Sequence, residues 1–377
     1  MIYLDHNATT NLRPAAAEIM LQTARDFPGN PGSRHAAGRR ARQVLESARE
    51  QVAMLLQADP REVIFTSGGT ESINLALNGL SRLVEQQNLP RVVFSPPGEH
   101  PATEQSLVRL EERGWKRIIG AVDQCGRLSP STLPHETYSL ATTLLAHNET
   151  GLIRDLSLWS PAAEQRGIRW HVDAVQACGK ISICFHDLGC TSLSCAAHKF
   201  GGPRGIGALL VRRHTGLPAD LVGGHQEGSM RAGTESVALA AGMATALEEA
   251  IKELSEGTQR MRMLRDRFEH GLREQCPPVV LNGPETERLP NTVNLAFPGC
   301  HGEALLVSLD LAGICCSLGS ACASGSLQPS PILVAMGLPN EVVTSSVRFS
   351  LGRNTTASEI EQAIQIVAAT VQRLRRP

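Results

Sequence analysis

Residues 169–211 read RWHVDAVQACGKISICFHDLGCTSLSCAAHKFGGPRGIGALLV, and the reading of this stretch decides the fold class. RWHVD, SLSC and GIGALLV have the length and apolar content of buried strands, with Gly and Pro marking the turns between them. The same pattern extends toward the N-terminus. EVIFTS, RVVFSP, KRIIGAV and residues 139–146 read as strands, separated by helical segments over 70–84, 100–113 and 157–166. Short strands alternating with helices of about 10–15 residues predict βα units on a mostly parallel sheet. Further upstream, helical periodicity over 14–25 and 36–57 flanks a turn-rich GNPGSRH loop. After Arg213 the pattern changes. GGHQEGSMRAGT reads as a mobile, glycine-rich connector and 235–274 as one long helix. A strand TVNLAF, a helix near Glu303, a Ser/Gly-rich loop, a strand VRFSL and a terminal helix follow. The chain is therefore expected to be α/β, with a large domain over 14–255 and a smaller α+β domain over 256–377 that takes in residues 1–13.

Bulk composition excludes several classes of function. At 377 residues, 42% hydrophobic and 19% charged, the chain has the balance of an ordinary globular protein with a sizeable core. No apolar run approaches the roughly 18–20 residues that span a bilayer. The opening MIYLDHNATT carries Asp5 and no basic n-region, so a cytoplasmic chain without a membrane partner is expected. A net charge of −1 leaves no footprint for nucleic acid, and Arg34, Arg39, Arg40 and Arg42 are better explained as a solvated helix face. Cys178, Cys184, Cys190 and Cys195 sit among apolar and small residues, as reduced thiols do. A zinc site built from Cys315, Cys316, Cys322 and His301 lacks ligand spacing, so no metal is expected.

The chemistry starts from lysine. Lys116, Lys180, Lys199 and Lys252 are the only four in the chain. A Schiff base needs an amine that can lose its proton, which arginine cannot do. Lys116 and Lys252 lie in charged surface contexts, and Lys180 follows Gly179 in a turn. Lys199 alone follows a short apolar strand and precedes the flexible GGPRGIG, although a surface lysine beside a turn has the same local pattern. Asp173 ends the strand RWHVD, where α/β sheets present ligand-binding groups. A carboxylate there can pair with a protonated pyridine nitrogen, and Gln176 is spaced to reach the phenolic oxygen of the same ring. Taken alone, Asp173 also fits a helix cap. SGGTES, residues 67–72, joins a strand to a helix, so its backbone amides, with Gly69 and the Thr70 hydroxyl, form an anion site. It lacks the Gly-Lys-Ser/Thr ending of a nucleotide-binding loop. A phosphate cup, a ring-nitrogen aspartate and an isolated lysine, in that order, point to pyridoxal phosphate better than any one of them does.

YLDHNATT, GNPGSRH, SGGTES, the pair Glu99–His100, HNETG, HVDAVQ, AHKFGGPRG, MRAGT, GSACASGS and SVRFSLGR run in order from residue 3 to about residue 353. Together they resemble the signatures of cysteine desulfurases, within the class-V aminotransferase type. They are similar to the NifS/IscS-like group with a long Ser/Gly-rich catalytic loop, and no R-x-G-H-H-C loop of the other branch is present. The resemblance implies the type I, aspartate-aminotransferase-like fold of pyridoxal-phosphate enzymes, working as a homodimer. It implies that Lys199 carries the cofactor as a Schiff base and then acts as base, that His100 stacks on the ring, and that Asp173 and Gln176 contact the ring nitrogen and phenolic oxygen. Thr70, Gly69 and His198 would hold the phosphate, with Thr234 reaching it from the partner subunit. Asn148 and Arg348 would clamp the substrate carboxylate. Cys322 would take sulfur from L-cysteine as a persulfide, leaving L-alanine, and pass it to an acceptor protein such as an iron–sulfur scaffold.

Cys322 supports that role from its own surroundings. SLGSACASGS is too rich in glycine and serine for a core element, and a mobile loop would let one sulfur visit the cofactor and then an acceptor. Two positions depart from the family pattern. Ala196 stands where a phosphate-binding serine is usual, and Leu318 with Cys315 and Cys316 makes the start of the loop less polar.

Overall fold

The computed structural model describes residues 1–128, 137–157, 159–318 and 329–375. The chain opens with β1 (Ile2–Tyr3), α1 (Pro14–Asp26) and α2 (Ala36–Leu56). Next come β2 (Val63–Thr66), α3 (Gly69–Gln86), β3 (Val92–Ser95), α4 (Pro101–Glu112) and β4 (Lys116–Ile119). β5 (Leu140–Leu144), α5 (Trp159–Arg166), β6 (Arg169–Asp173), β7 (Ser192–Ala196) and β8 (Gly207–Val211) follow. Helices α6 (Val237–Lys252) and α7 (Leu254–Gln275) lead to β9 (Val280–Leu281), β10 (Thr292–Ala296), α8 (Gly302–Leu311) and β11 (Ile314–Cys315). Two short helices, α9 (Pro331–Ala335) and α10 (Asn340–Thr344), precede β12 (Ser346–Ser350) and α11 (Ala357–Leu374).

Seven strands form one sheet in the order β2-β8-β7-β6-β5-β3-β4. Neighbours are parallel except for the two pairs made by β8, so the sheet is mostly parallel as expected. Strand alternation divides its side chains between two cores. Ile64, Val93, Leu140 and Leu209 pack with Leu75, Leu80, Leu107 and Leu110 of α3 and α4. Their neighbours Val63, Phe65, Phe94, Ala141, Ala208 and Leu210 belong to a larger core with α1, α2 and α6. Successive residues point to opposite faces of a strand, so helices cover both faces of the sheet. That double cover buries every residue of β5, β7 and β8, the hydroxyls of Thr142, Thr143, Ser192 and Ser194 included.

A separate core gathers Phe268 of α7, Val293 of β10, Leu305 of α8, Phe349 of β12 and Val367 of α11. Its sheet is antiparallel, in the order β12-β10-β9, and β1 pairs in parallel with β11. Ile2 and Leu4 join this core, and Ser350 N–H donates to the Leu4 carbonyl at 2.7 Å. A few residues later the chain crosses over. Thr10 and Arg13 donate N–H groups to the carbonyls of His198 (3.0 Å) and Gly201 (2.8 Å). The start of the chain therefore joins this core to the seven-stranded sheet.

Two sequence readings are corrected. The helix expected over 235–274 is broken at Glu253: α6 packs on α1 and α2, whereas α7 packs on α11 in the second core. Ser255 and Gly257, both weak helix formers, lie just past the break, and Arg13 pairs with Glu253 at 2.9 Å. The connector GGHQEGSMRAGT is anchored rather than free. Glu227 is buried, forks onto Arg49 at 2.6 and 2.9 Å, and accepts the Phe65 N–H at 2.9 Å. Among the described residues no helix is long and apolar enough to cross a membrane.

Candidate active site

Strands β5, β6 and β7 run in parallel and end at one edge of the sheet, with Asp173 closing β6 and Ala196 closing β7. A 3-10 turn, Ala197–Lys199, follows β7 directly and turns Lys199 back over that edge. Helix α3 begins beside it, and His100 caps the start of α4. The result is a cleft of about 200 Å³ at the carboxyl ends of the strands, where open α/β sheets bind ligands. Gly69, Thr70, His100, Asp173, Gln176 and Lys199 line it. Asn148, Ala196 and His198 are also in the wall.

Each group has an electrostatic setting that follows from its contacts. Lys199 Nζ donates to the carbonyls of Asn7 at 2.6 Å and Ala8 at 2.9 Å. Burial, reinforced by the Arg348 guanidinium and opposed by Asp173 and Asp5, lowers its pKa to about 8. Asp173 is fully enclosed, and Oδ1 accepts the Val175 N–H at 2.9 Å. Burial pushes its carboxyl up, while His100 and Lys199 pull it down. His100 caps α4, with Nδ1 accepting the Ala102 N–H at 3.1 Å. Burial depresses the imidazole, so the neutral ring carries its proton on Nε2. His198 is likewise depressed, to about 4, by burial and by Lys199 and Arg204, and its Nδ1 meets Thr9 Oγ1 at 3.2 Å.

The floor of the cleft is shaped by small residues. A Cβ added to Gly69 would come within 2.8 Å of Val175 Cγ2, so glycine keeps the first turn of α3 open. A Cβ on Gly207 would meet the Gly68 Cα at 2.8 Å, which brings the β2–α3 turn down onto β8. A second hollow, lined by Ser67, Gly68, Thr70, His198 and Arg204, continues outward from the same helix start.

Two of the expected residues stand elsewhere. Arg348, on β12, lies outside the cleft lining, with Nη2 on Asp5 Oδ1 at 2.6 Å and Nη1 on the Asn148 carbonyl at 3.1 Å. It is thus adjacent to Asn148 but already engaged by a carboxylate of the chain itself. Thr234 is exposed and does not line the cleft. Cys322 lies outside the described residues, but the flanks of segment 319–328 are anchored beside the cleft. Ser317 exchanges backbone hydrogen bonds with Arg348 (2.7 and 3.1 Å). Ser330 Oγ donates to Glu149 Oε2 at 2.5 Å, next to Asn148. Leu318 packs on the second core, and Cys316 is pushed up by burial.

Three residues of this site were missed from the sequence. Asn7 connects the cleft to the second core: its carbonyl accepts Lys199 and Gln176, and its side chain reaches Thr292 Oγ1 at 2.9 Å. Lys180 is buried beneath the cleft, where it contacts Gln176 and Asn7. Asp5 is the third, through Arg348. YLDHNATT contains Asp5 and Asn7, but no local pattern tells that these side chains turn inward.

The class-V aminotransferase family model matches residues 2–363. The cysteine desulfurase of Nostoc sp. (strain PCC 7120) is 40% identical over 378 residues, covering 100% of this chain and 94% of the relative. A solved NifS-like protein superposes with a TM-score of 0.91 at 31% identity, covering 98% of this chain and 99% of the other. A structure described as SspA in complex with cysteine superposes with a TM-score of 0.82 at 27% identity, covering 94% of this chain and 100% of the other. With a family model over nearly the whole chain and a full-length relative at 40% identity, the chain belongs to the class-V aminotransferase family, among its cysteine desulfurases.

Proposed function

We propose that this chain is a pyridoxal-phosphate-dependent cysteine desulfurase, converting L-cysteine to L-alanine and leaving the sulfur as a persulfide on Cys322. The observation that carries this reading is the convergence of Lys199, its pKa lowered to about 8, with the buried Asp173 carboxylate and the neutral His100 on one cleft. The donor set fits the cofactor. An enclosed carboxylate suits a pyridinium nitrogen, and the open start of α3 with Thr70 and His198 suits a phosphate. When bound, the cofactor supplies an electron sink for the substrate α-carbon.

The residues of the chain do the rest. Lys199 Nζ, neutral in a large fraction of molecules near its pKa, takes the α-proton. His100 Nε2 holds a proton that it can give or recover at the cleft face. Arg348, after exchanging Asp5 for the substrate carboxylate, orients the amino acid together with Asn148. The Cys322 thiolate attacks the substrate Sγ. The S–S bond forms as the Cβ–S bond breaks, and the electron pair stays with the carbon skeleton, which is protonated to give alanine. The acceptor protein then removes the outer sulfur.

We read the working unit as a homodimer, in which the exposed Thr234 reaches the phosphate of a second copy, in the reducing cytoplasm. We divide the chain into a large domain over 14–255 and a smaller one over 256–377 with 1–13, a division supported by α6 packing on α1 and α2 while α7 packs on α11. Substituting Cys322→Ala tests the function. Sulfide release from cysteine should fall by orders of magnitude while the visible absorbance of the cofactor persists, and unchanged release would overturn the assignment.

A further inference from the structure

Lys180 sits in a turn after β6, yet its side chain runs inward and is only 6% exposed. Removing an amine from water costs several kcal/mol unless partners replace the lost hydration. Among the described residues no carboxylate is paired with it. Its partners are two amide oxygens, Gln176 Oε1 at 2.7 Å and Asn7 Oδ1 at 3.1 Å. Burial, with Lys199 and Arg348 adding to it, pushes its pKa well down. Charged or neutral, the amine still has N–H groups for both oxygens.

These contacts settle which way the Gln176 amide faces. Its Nε2 donates to the Asn7 carbonyl at 2.8 Å, the same carbonyl that accepts Lys199 Nζ at 2.6 Å. Flipping the amide would set its oxygen against the Asn7 carbonyl oxygen, a repulsive contact, and would take from the Lys180 N–H groups their Oε1 acceptor. One N–H of Gln176 is thus committed to Asn7, and the second remains for the cleft that Gln176 lines.

We propose that Lys180 is a positioning residue for the cofactor: by holding Oε1 of Gln176 it fixes that amide as an N–H donor to the cofactor's phenolic oxygen and keeps that oxygen anionic. This rests on the reading of the cleft as a pyridoxal-phosphate site. Lys180 does not touch the reacting atoms. It acts through Gln176, which makes the inference separable from a merely structural role.

A double-mutant cycle of Lys180→Met, Gln176→Ala and the double variant tests it, using the full chain. Three quantities are read: the pyridoxal-phosphate dissociation constant of the apo chain, the pH midpoint of the bound cofactor's visible band, and the apo thermal midpoint. Each single variant should weaken cofactor binding about tenfold and raise the band midpoint. The double variant should match Gln176→Ala alone. Should Lys180→Met not fold, Lys180→Gln, which keeps an N–H donor, should hold the band close to wild type. Equal, additive shifts in both backgrounds would overturn the inference, as would a lower thermal midpoint with an unmoved band. A wild-type chain that takes up no cofactor would overturn the cofactor reading itself, whereas a normal wild-type band with Lys180→Met indistinguishable from it would overturn this inference alone.

Discussion

Titration of Lys199 ties the geometry of the cleft to a measurable quantity. Its amine is pushed to about 8, first by burial and second by Arg348, with Asp173 and Asp5 opposing. Near pH 7.5 roughly a quarter of such amines are neutral, whereas a free lysine at about 10.4 is neutral in roughly one molecule in 800. The nucleophilic form is therefore enriched about 200-fold, which is what a Schiff-base lysine requires. Trace acetylation of the apo chain across a pH series, followed by peptide mass spectrometry, reads Lys199 against the exposed Lys252. Labelling of Lys199 should rise through a midpoint of about 8. Arg348→Gln removes a nearby cation and should move the midpoint up, and Asp173→Asn removes a carboxylate and should move it down. The same shift has a consequence for stability. Between about 8 and about 10.4 the unfolded chain holds a proton that the folded chain has released, so the Lys199 contribution improves as pH rises through that window and is fully lost below it. A wild-type midpoint near 10, or one unmoved in both variants, would refute the assigned causes.

Two further outcomes follow from the packing. Glu227→Ala takes the forked carboxylate from the buried Arg49 guanidinium, which lies over the Phe65 ring at 4.9 Å and would keep only Glu46 at 3.1 Å and the Val63 carbonyl at 2.8 Å. Breaking such a pair costs about 3–5 kcal/mol, so thermal unfolding should drop by roughly 4–6 °C, and Arg49→Met in the same chain should restore most of it. Ala196, buried at the end of β7 and lining the cleft, lacks a hydroxyl for the phosphate. A hydrogen bond to a charged group is worth about 1.5–3 kcal/mol, so Ala196→Ser should tighten pyridoxal-phosphate binding at least about tenfold by equilibrium titration, and equal affinities would count against the phosphate assignment.

How much was legible in advance depended on whether the signal was local. The strands β2, β3, β6 and β7 and the helices between them carry their period in a few consecutive residues, and they were read within a residue or two of where they lie. The reversed direction of β8 was not readable, because an apolar run has no polarity. β1, β9 and β11, two residues each, are too short to show any period. The turn at Gly179 was correctly read, but the inward course of Lys180 depends on Asn7, 173 residues away. Arg348 was found as a residue type, yet its pairing with Asp5 spans 343 positions and no motif records it. The connector's glycines promised freedom, and distant contacts, Arg49 to Glu227 and Arg231 to Glu71, remove it.

The most direct test is reduction of the cofactor-loaded chain with borohydride, followed by mapping of the modified peptide. The pyridoxyl group is expected on Lys199, with the visible band lost on reduction. Modification of Lys116, Lys180 or Lys252, or no modified peptide at all, would contradict the assignment of this cleft.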